Sequence, residues 1–284
     1  MSQASDDIKT YRRAAELNRE DPYLRGSTLV FPNYGQLVVT GDLHGHRRNL
    51  ERIVTYCDLE HAPGRHVVLH ELLHEEPQSY TAYDMSHELL LEAARWKCEF
   101  PDSVHFLQSN HELAQLQNQG ISKGGRIMTF NYVLGVQETY GSQAAEVVDA
   151  MLELLASYAL AARTANRIMV SHSLPAPSAM SQFDPTVLDR VPTDEDLREG
   201  GSAYCLVWGR YQTAEMLADL AQTLEVDYFI CGHQPQEEGY AVLHDKLLIL
   251  ACDHNHGVLL PLNLGNSYDM PGLVKALRPL ASIA

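Results

Sequence analysis

Positive charge is what this sequence holds least of. Its 21 Lys and Arg stand against 37 Asp and Glu, a formal charge of −16. That balance argues against non-specific nucleic-acid binding, which needs cations to neutralise phosphates. It leaves a small phosphorylated substrate open, because a bound metal cluster reverses the field locally. Long apolar runs are also missing. The start, MSQASDDIKTYRR, has no segment of signal-peptide type, and no later run is long enough to span a bilayer. A cytoplasmic location and no membrane partner are therefore expected. Cysteine is scarce: five residues, an odd number, with no CxxC pairing. Cys57, Cys98, Cys205, Cys231 and Cys252 each sit beside apolar residues and read as buried, reduced thiols. A purely structural zinc site is disfavoured, since no cysteine lies in any motif. Repeats and low-complexity linkers are absent as well, so one domain over residues 1–284 is expected, with an N-terminal helical extension of about residues 1–30. The one unusual abundance is histidine, with 14.

Strand-like and helix-like segments alternate, the pattern of an α/β domain. Gln36 to Thr40, His66 to Leu69, Ser103 to Leu107, Arg167 to Val170, Tyr228 to Cys231 and Lys246 to Ala251 read as strands. Apolar spacing predicts helices over about residues 5–21, His46 to Cys57, Gln78 to Phe100, Gln143 to Arg163 and Thr213 to Glu225. Pro175 to Gly201, rich in Pro, Ser and Asp, reads as a long surface loop.

The strand ends carry the chemistry. The first runs into Gly41-Asp42-Leu43-His44-Gly45, the second into His70-Glu71, the third into Gln108-Ser109-Asn110-His111-Glu112. The fourth runs into Ser171-His172-Ser173 and the fifth into Gly232-His233-Gln234-Pro235. In open α/β sheets ligands bind outside the carboxyl ends of strands, so these side chains should converge on one crevice. Carboxylates, an amide and imidazoles form a mixed oxygen and nitrogen set. It suits Mn, Fe or Zn and is too rich in imidazole for Mg or Ca alone. Six or so candidate ligands exceed the need of one tetrahedral ion and point to two metals. Such a site, about 3.5–4 Å across, clamps a phosphoryl group and activates water for in-line attack.

The order GDLHG, SNHE, SHS and CGHQP resembles the calcineurin-like metallophosphoesterases, and most closely their phosphoprotein phosphatase branch, which includes serine/threonine phosphatases and diadenosine tetraphosphatases. The resemblance runs from about Gly35 to Gly257. It implies a two-sheet β-sandwich flanked by helices, an α-β-β-α arrangement, with two divalent ions, Mn²⁺ first and Fe or Zn as alternatives. Carried over by position, it makes Asp42 and His44 ligands of the first metal, and Asn110, His172 and His233 ligands of the second or shared site. His111 falls on the catalytic histidine that protonates the leaving oxygen, and Asn110 also holds a phosphate oxygen.

The second motif departs from that pattern. Where the family has GDxxDRG, this chain has His70-Glu71-Leu72-Leu73-His74-Glu75-Glu76. Glu71 takes the place of the bridging Asp and is the best substitute ligand. His74 replaces the Asp that orients the catalytic histidine, and Glu75 replaces an Arg that holds phosphate. Gln108 stands where the protein phosphatases have a second Arg. Arg210, in LVWGR, is the candidate phosphate clamp that remains. Asp253, His254 and His256 follow the last predicted strand, either as a further metal contact or as loop residues facing water. His46, His61, His66, His87, His105 and His244 read as structural or solvent-facing. Two functions follow from the resemblance. One is a metal-dependent phosphatase acting on a phosphorylated protein or small molecule. The other is a pseudo-phosphatase that binds phosphorylated partners without turnover.

Overall fold

The apolar alternation of the predicted strands already assigns each residue a side. In the computed structural model, which describes residues 3–76, 79, 82–123 and 125–283, Val38, Val67 and Leu69 point to one face of a sheet while Leu37, Val39 and Val68 point to the other. Successive strand residues face opposite ways, so two buried faces require a layer on each side.

The chain opens with helix α1 (Gln3–Arg19) and strands β1 (Leu24–Arg25), β2 (Thr28–Phe31) and β3 (Gln36–Val39). Helix α2 (Arg47–Cys57), strand β4 (Arg65–His70), helix α3 (His87–Glu99), strand β5 (Val104–Leu107) and helix α4 (Asn110–Leu116) follow. A short antiparallel pair, β6 (Ser122–Lys123) and β7 (Arg126–Ile127), precedes helices α5 (Met128–Tyr140) and α6 (Ala144–Leu155). Next come β8 (Ala161–Thr164), β9 (Ile168–Ser171) and helices α7 (Asp194–Leu197), α8 (Ser202–Trp208) and α9 (Ala214–Thr223). The chain closes with β10 (Tyr228–Cys231), β11 (Tyr240–Leu243), β12 (Leu247–Leu250), β13 (Val258–Asn263), α10 (Met270–Ala276) and β14 (Arg278–Pro279).

Two sheets result, ordered β14-β13-β3-β4-β5 and β1-β2-β8-β9-β10-β12-β11. The parallel pairs β3–β4, β4–β5, β9–β10 and β10–β12 bring their carboxyl ends to one edge. Between the sheets lies a core that includes Leu37, Val68, Leu260, Val170, Ile230 and Leu248. Outside the five-stranded sheet, α1, α2, α3, α5 and α6 cover Val38, Val67, Val104 and Phe106. Outside the seven-stranded sheet, α8 and α9 cover Met169, Phe229, Leu247 and Ile249. The layers are α-β-β-α. All five cysteines are free, four of them buried and Cys98 half-buried.

Several boundaries differ from the sequence reading. The helix expected from Gln78 begins at His87, and Pro77 and Gln78 lie outside the described residues. Asp84 Oδ1 accepts from the Ser86 amide, a local turn that competes with helix. The helix expected to reach Arg163 stops at Leu155, because Ala161–Thr164 pairs between β2 and β9 as a strand. Residues 24–31, expected within a helical extension, form β1 and β2, and α1 packs on α3 and α6. Strand β13 and helix α5 had no counterpart in the sequence reading. The 175–201 segment is not wholly surface, since Val187 and Leu188 are buried in the outer core of the seven-stranded sheet. Among the described residues no helix is long and apolar enough to cross a membrane.

Candidate metal centre

After β3 the backbone leaves its strand and is clamped by the loop that follows β4. The amides of Leu43 and His44 donate to the Glu71 carbonyl at 2.9 and 2.8 Å, and the Gly45 amide donates to Leu72 at 2.9 Å. Gly45 has φ +74, and a Cβ there would overlap the Cβ of Glu75. The second loop is held in turn by Glu112, the third residue of the Ser109-capped helix α4. Its Oε1 accepts from the amides of Leu72 and Leu73 at 2.7 and 3.2 Å, while Ser109 Oγ donates to Oε2. Burial pushes the Glu112 carboxyl up to about 7 against those amide hydrogen bonds.

Glu71 lies between two clusters. Its Oε2 is 3.4 Å from His44 Nε2, and its Oε1 is 3.4 Å from His172 Nε2. The two oxygens of one carboxylate thus face opposite sides, on a backbone with φ +50 at Glu71. On the first side stand His44, Glu71 and a ring nitrogen of His111. On the second, Asn110 Oδ1 is 2.7 Å from His172 Nε2 and 3.0 Å from His233 Nδ1, and the two ring nitrogens are 3.2 Å apart. Asp42 accepts from the His233 amide through both oxygens, at 3.0 and 2.8 Å, and lies 3.6 Å from His172 Nδ1. Every residue to which the resemblance gave a metal or catalytic role is in this constellation, and so is Arg210, whose Nε is 3.0 Å from His233 Nε2.

The donor set fits divalent cations. Glu71 Oε1 is buried and has no hydrogen-bond partner, so an acceptor is paid for with nothing to bind it. Burial, and then the neighbouring Asp42 carboxylate, raise the Glu71 carboxyl well above its ordinary range. A cation between the carboxylates removes that repulsion. Burial also favours the neutral form of two of the imidazoles: His172 lies well below its usual value, with further depression from His233 and His70, and His233 is lowered to about 4. A neutral imidazole has the lone pair that a metal needs. Of the eleven non-glycine residues with positive φ among those described, His44, Glu71, His74 and His233 are four, which concentrates backbone strain at this site.

Sequence reading missed His70, which it had laid over a glycine position. Its ring is fully buried and joins Asp42 and His172 in a group of three potential metal-binding side chains. His74 touches His111, Nδ1 to Nδ1 at 2.8 Å, so the place of the orienting Asp is filled by an imidazole that still reaches its partner. Glu75 is half-buried and turns its Oε1 to the Met85 amide at 2.8 Å rather than serving as a substrate-facing group. Arg47 is taken up by Glu88 and Glu92. His254 and Asp253 join neither cluster: His254 Nε2 donates to the Gln236 carbonyl at 2.8 Å, and its Nδ1 accepts from the His256 amide. Of the histidines without a partner in the sequence reading, His46 caps α2, His61 pairs with Asp58, and His66 Nδ1 lies 3.3 Å from Nε2 of His105, which is bound to Asp21.

No protein-family model and no curated protein sequence matches the chain. Solved structures do. A serine/threonine phosphatase from Saccharomyces cerevisiae with similarity to human phosphatase PP5 superposes with a TM-score of 0.69 at 15% identity, over 99% of this chain and 94% of that one. A cold-active protein-tyrosine phosphatase of the psychrophile Shewanella gives 0.57 at 14% identity, over 88% of this chain and 80% of that one. A second structure titled as a cold-active protein tyrosine phosphatase gives 0.58 at 15%, over 87% and 78%. The chain therefore shares its fold with these phosphatases.

Proposed function

We propose that the chain is a metal-dependent phosphoesterase that hydrolyses a phosphate monoester. The observation that carries this is Glu71, whose two oxygens lie 3.4 Å from His44 Nε2 on one side and His172 Nε2 on the other, with Oε1 buried and without a hydrogen-bond partner. Asp42, His44, Glu71, Asn110, His172 and His233 would together hold two divalent cations, with Glu71 between them and Asp42 on the His172 side. The donor types suit Mn²⁺, Fe and Zn, and the resemblance puts Mn²⁺ first. Such ions, when bound, polarise the phosphoryl group and activate water. The protein's own part is positioning and proton transfer. Asn110 and the Arg210 guanidinium orient phosphate oxygens, and His111 gives a proton to the leaving oxygen. The named substrates of the structural neighbours support a phosphorylated protein as the substrate class, with small phosphorylated compounds as the other candidates. A cytoplasmic site of action goes with this reading.

A second reading, a pseudo-phosphatase that binds phosphorylated partners, draws on one observation: His74 and Glu75 stand where the resembling family has Asp and Arg. Hydrolysis of an aryl phosphate by Mn²⁺-reconstituted protein separates the two. Turnover is expected, with a loss of roughly 10²–10⁴-fold in His111→Ala. Bound Mn²⁺ with no turnover above that of the variant, on aryl phosphate and phosphopeptides alike, would favour the second reading.

A further inference from the structure

His70 stands where the resembling family has glycine, a residue whose missing side chain can supply no ligand. Here the imidazole is fully buried and converges with two other donors, Asp42 and His172. His70 Nδ1 lies 3.0 Å from His172 Nδ1 and 3.9 Å from Asp42 Oδ1, and His172 Nδ1 lies 3.6 Å from the same oxygen. Those three separations leave a point about 2.1 Å from each atom, within the roughly 2.0–2.2 Å of a Zn–N or Zn–O bond. The two rings stand at 79° to one another, so they meet by their edges and do not stack. The other nitrogen of His70, Nε2, is 2.8 Å from the Thr40 carbonyl, an outer contact that ligating imidazoles commonly make. Asp42 is itself held by the His233 amide, which leaves its carboxylate room for a further partner.

We propose that Asp42 Oδ1, His70 Nδ1 and His172 Nδ1 form a cation site of two imidazoles and one carboxylate, with His70 as a ligand that only the altered motif supplies. It adds a seventh ligand to the six named above and rests on the crevice being a metal centre, as the phosphoesterase reading has it. The position is separate from the one beside Asn110. There the same ring presents its other nitrogen, Nε2, to Asn110 Oδ1, His233 Nδ1 and Glu71 Oε1. Two imidazoles with a carboxylate suit Zn²⁺ or Fe²⁺, whereas Mg²⁺ and Ca²⁺ take shells of oxygen. Asp42, His70 and His172 are 7, 0 and 0% exposed, so a carboxylate there is costly unless a positive charge faces it. A cation at the shared point supplies that charge and gives all three atoms a partner at once.

The test is a crystal structure of the full chain soaked in Zn²⁺, with the ion located by anomalous scattering at the zinc edge. The expected result is a peak about 2.0–2.2 Å from Asp42 Oδ1, His70 Nδ1 and His172 Nδ1. Zinc found only beside Asn110 and His233, with the rings of His70 and His172 still in direct contact, overturns the proposal. Asn110→Ala, which removes a ligand from the other side alone, should keep the peak. In solution, His70→Leu should weaken Zn²⁺ binding, followed by titration calorimetry, by more than the roughly 10–100-fold that loss of an outer contact costs. Unchanged Zn²⁺ affinity in that variant, with circular dichroism showing it folded, also overturns the ligand role. Should the variant not fold, the peak in the unaltered chain decides. A peak at the expected place in a chain that hydrolyses no phosphate ester sinks the phosphoesterase reading and leaves the site standing. Zinc beside Asn110 alone, with turnover of aryl phosphate, does the reverse.

Discussion

Lys97 Nζ lies 3.0 Å from Asp21 Oδ2, and neither side chain reaches solvent to any useful extent. Lys97 also donates to the Pro101 carbonyl at 2.7 Å, and His105 Nδ1 lies 2.8 Å from the same Asp21 oxygen. The pair fastens the segment after α1 to α3 and β5. Removing one partner of a buried pair strands the other charge. Lys97→Met is therefore expected to cost about 3–5 kcal/mol in urea unfolding, and Asp21→Asn in the same background should recover part of it.

Acid should attack the same network. Burial alone would raise the Asp21 carboxyl, but the hydrogen bond and charge of His105 and the charge of Lys97 overcome it and hold the group at about 2, below the ordinary 3.8. A carboxyl depressed in the folded state stabilises the fold above its unfolded pKa. That contribution, about 2 kcal/mol, is complete above pH 3.8 and is lost as pH falls from there through about 2. Unfolding free energies measured between pH 5 and pH 2 should show a steeper decline for the unaltered chain than for Asp21→Asn.

Metal removal has a sign that needs no activity assay. A cation that binds the folded chain alone adds about 2.7 kcal/mol at a concentration of 100 Kd. For a chain of this size each kcal/mol raises Tm by roughly 2–4 °C, so scanning calorimetry should show a drop of several degrees on adding chelator. Glu71→Ala should abolish most of that difference, whereas Glu71→Asp, which keeps a carboxylate, should retain part of it.

Gly232 offers a steric test of the site. A Cβ at this position would overlap Asp42 Oδ1 and lie close to His70 Cε1. Gly232→Ala is expected to keep the fold, with unchanged far-ultraviolet circular dichroism, but to lose most Mn²⁺ binding by displacing Asp42. A variant that binds Mn²⁺ as tightly as the unaltered chain would show that Asp42 is not held there.

Much of the site was legible because its residues are strand ends, and strand ends follow from apolar runs such as QLVVT and YFIC. The clusters needed only those strands to be parallel, which alternation with helices implies. His70 was not legible. Its place depends on the Thr40 carbonyl and on ring contacts between residues 102 apart, and spacing encodes neither. The fold was less readable where tertiary pairing overrode local preference. Ala161–Thr164 follows an alanine-rich stretch with good helix propensity, yet it fills the gap between β2 and β9. Strand β13 contains Pro261, which argues against a strand, but the residue pairs with Val38 all the same. The late start of α3 reflects side chains of Asp84 and Ser86 that bond backbone amides, Ser86 Oγ accepting from His74.

The contact between Asp42 and the His233 amide spans 191 residues. During synthesis the amino-terminal half of the crevice leaves the ribosome with its carboxylate lacking the amide that will hold it. Asp42, His44 and Glu71 can gather early, but the full pocket closes only after β10 has joined its sheet. Metal capture is thereby tied to the last third of the chain, and a loaded protein certifies that its two halves have come together.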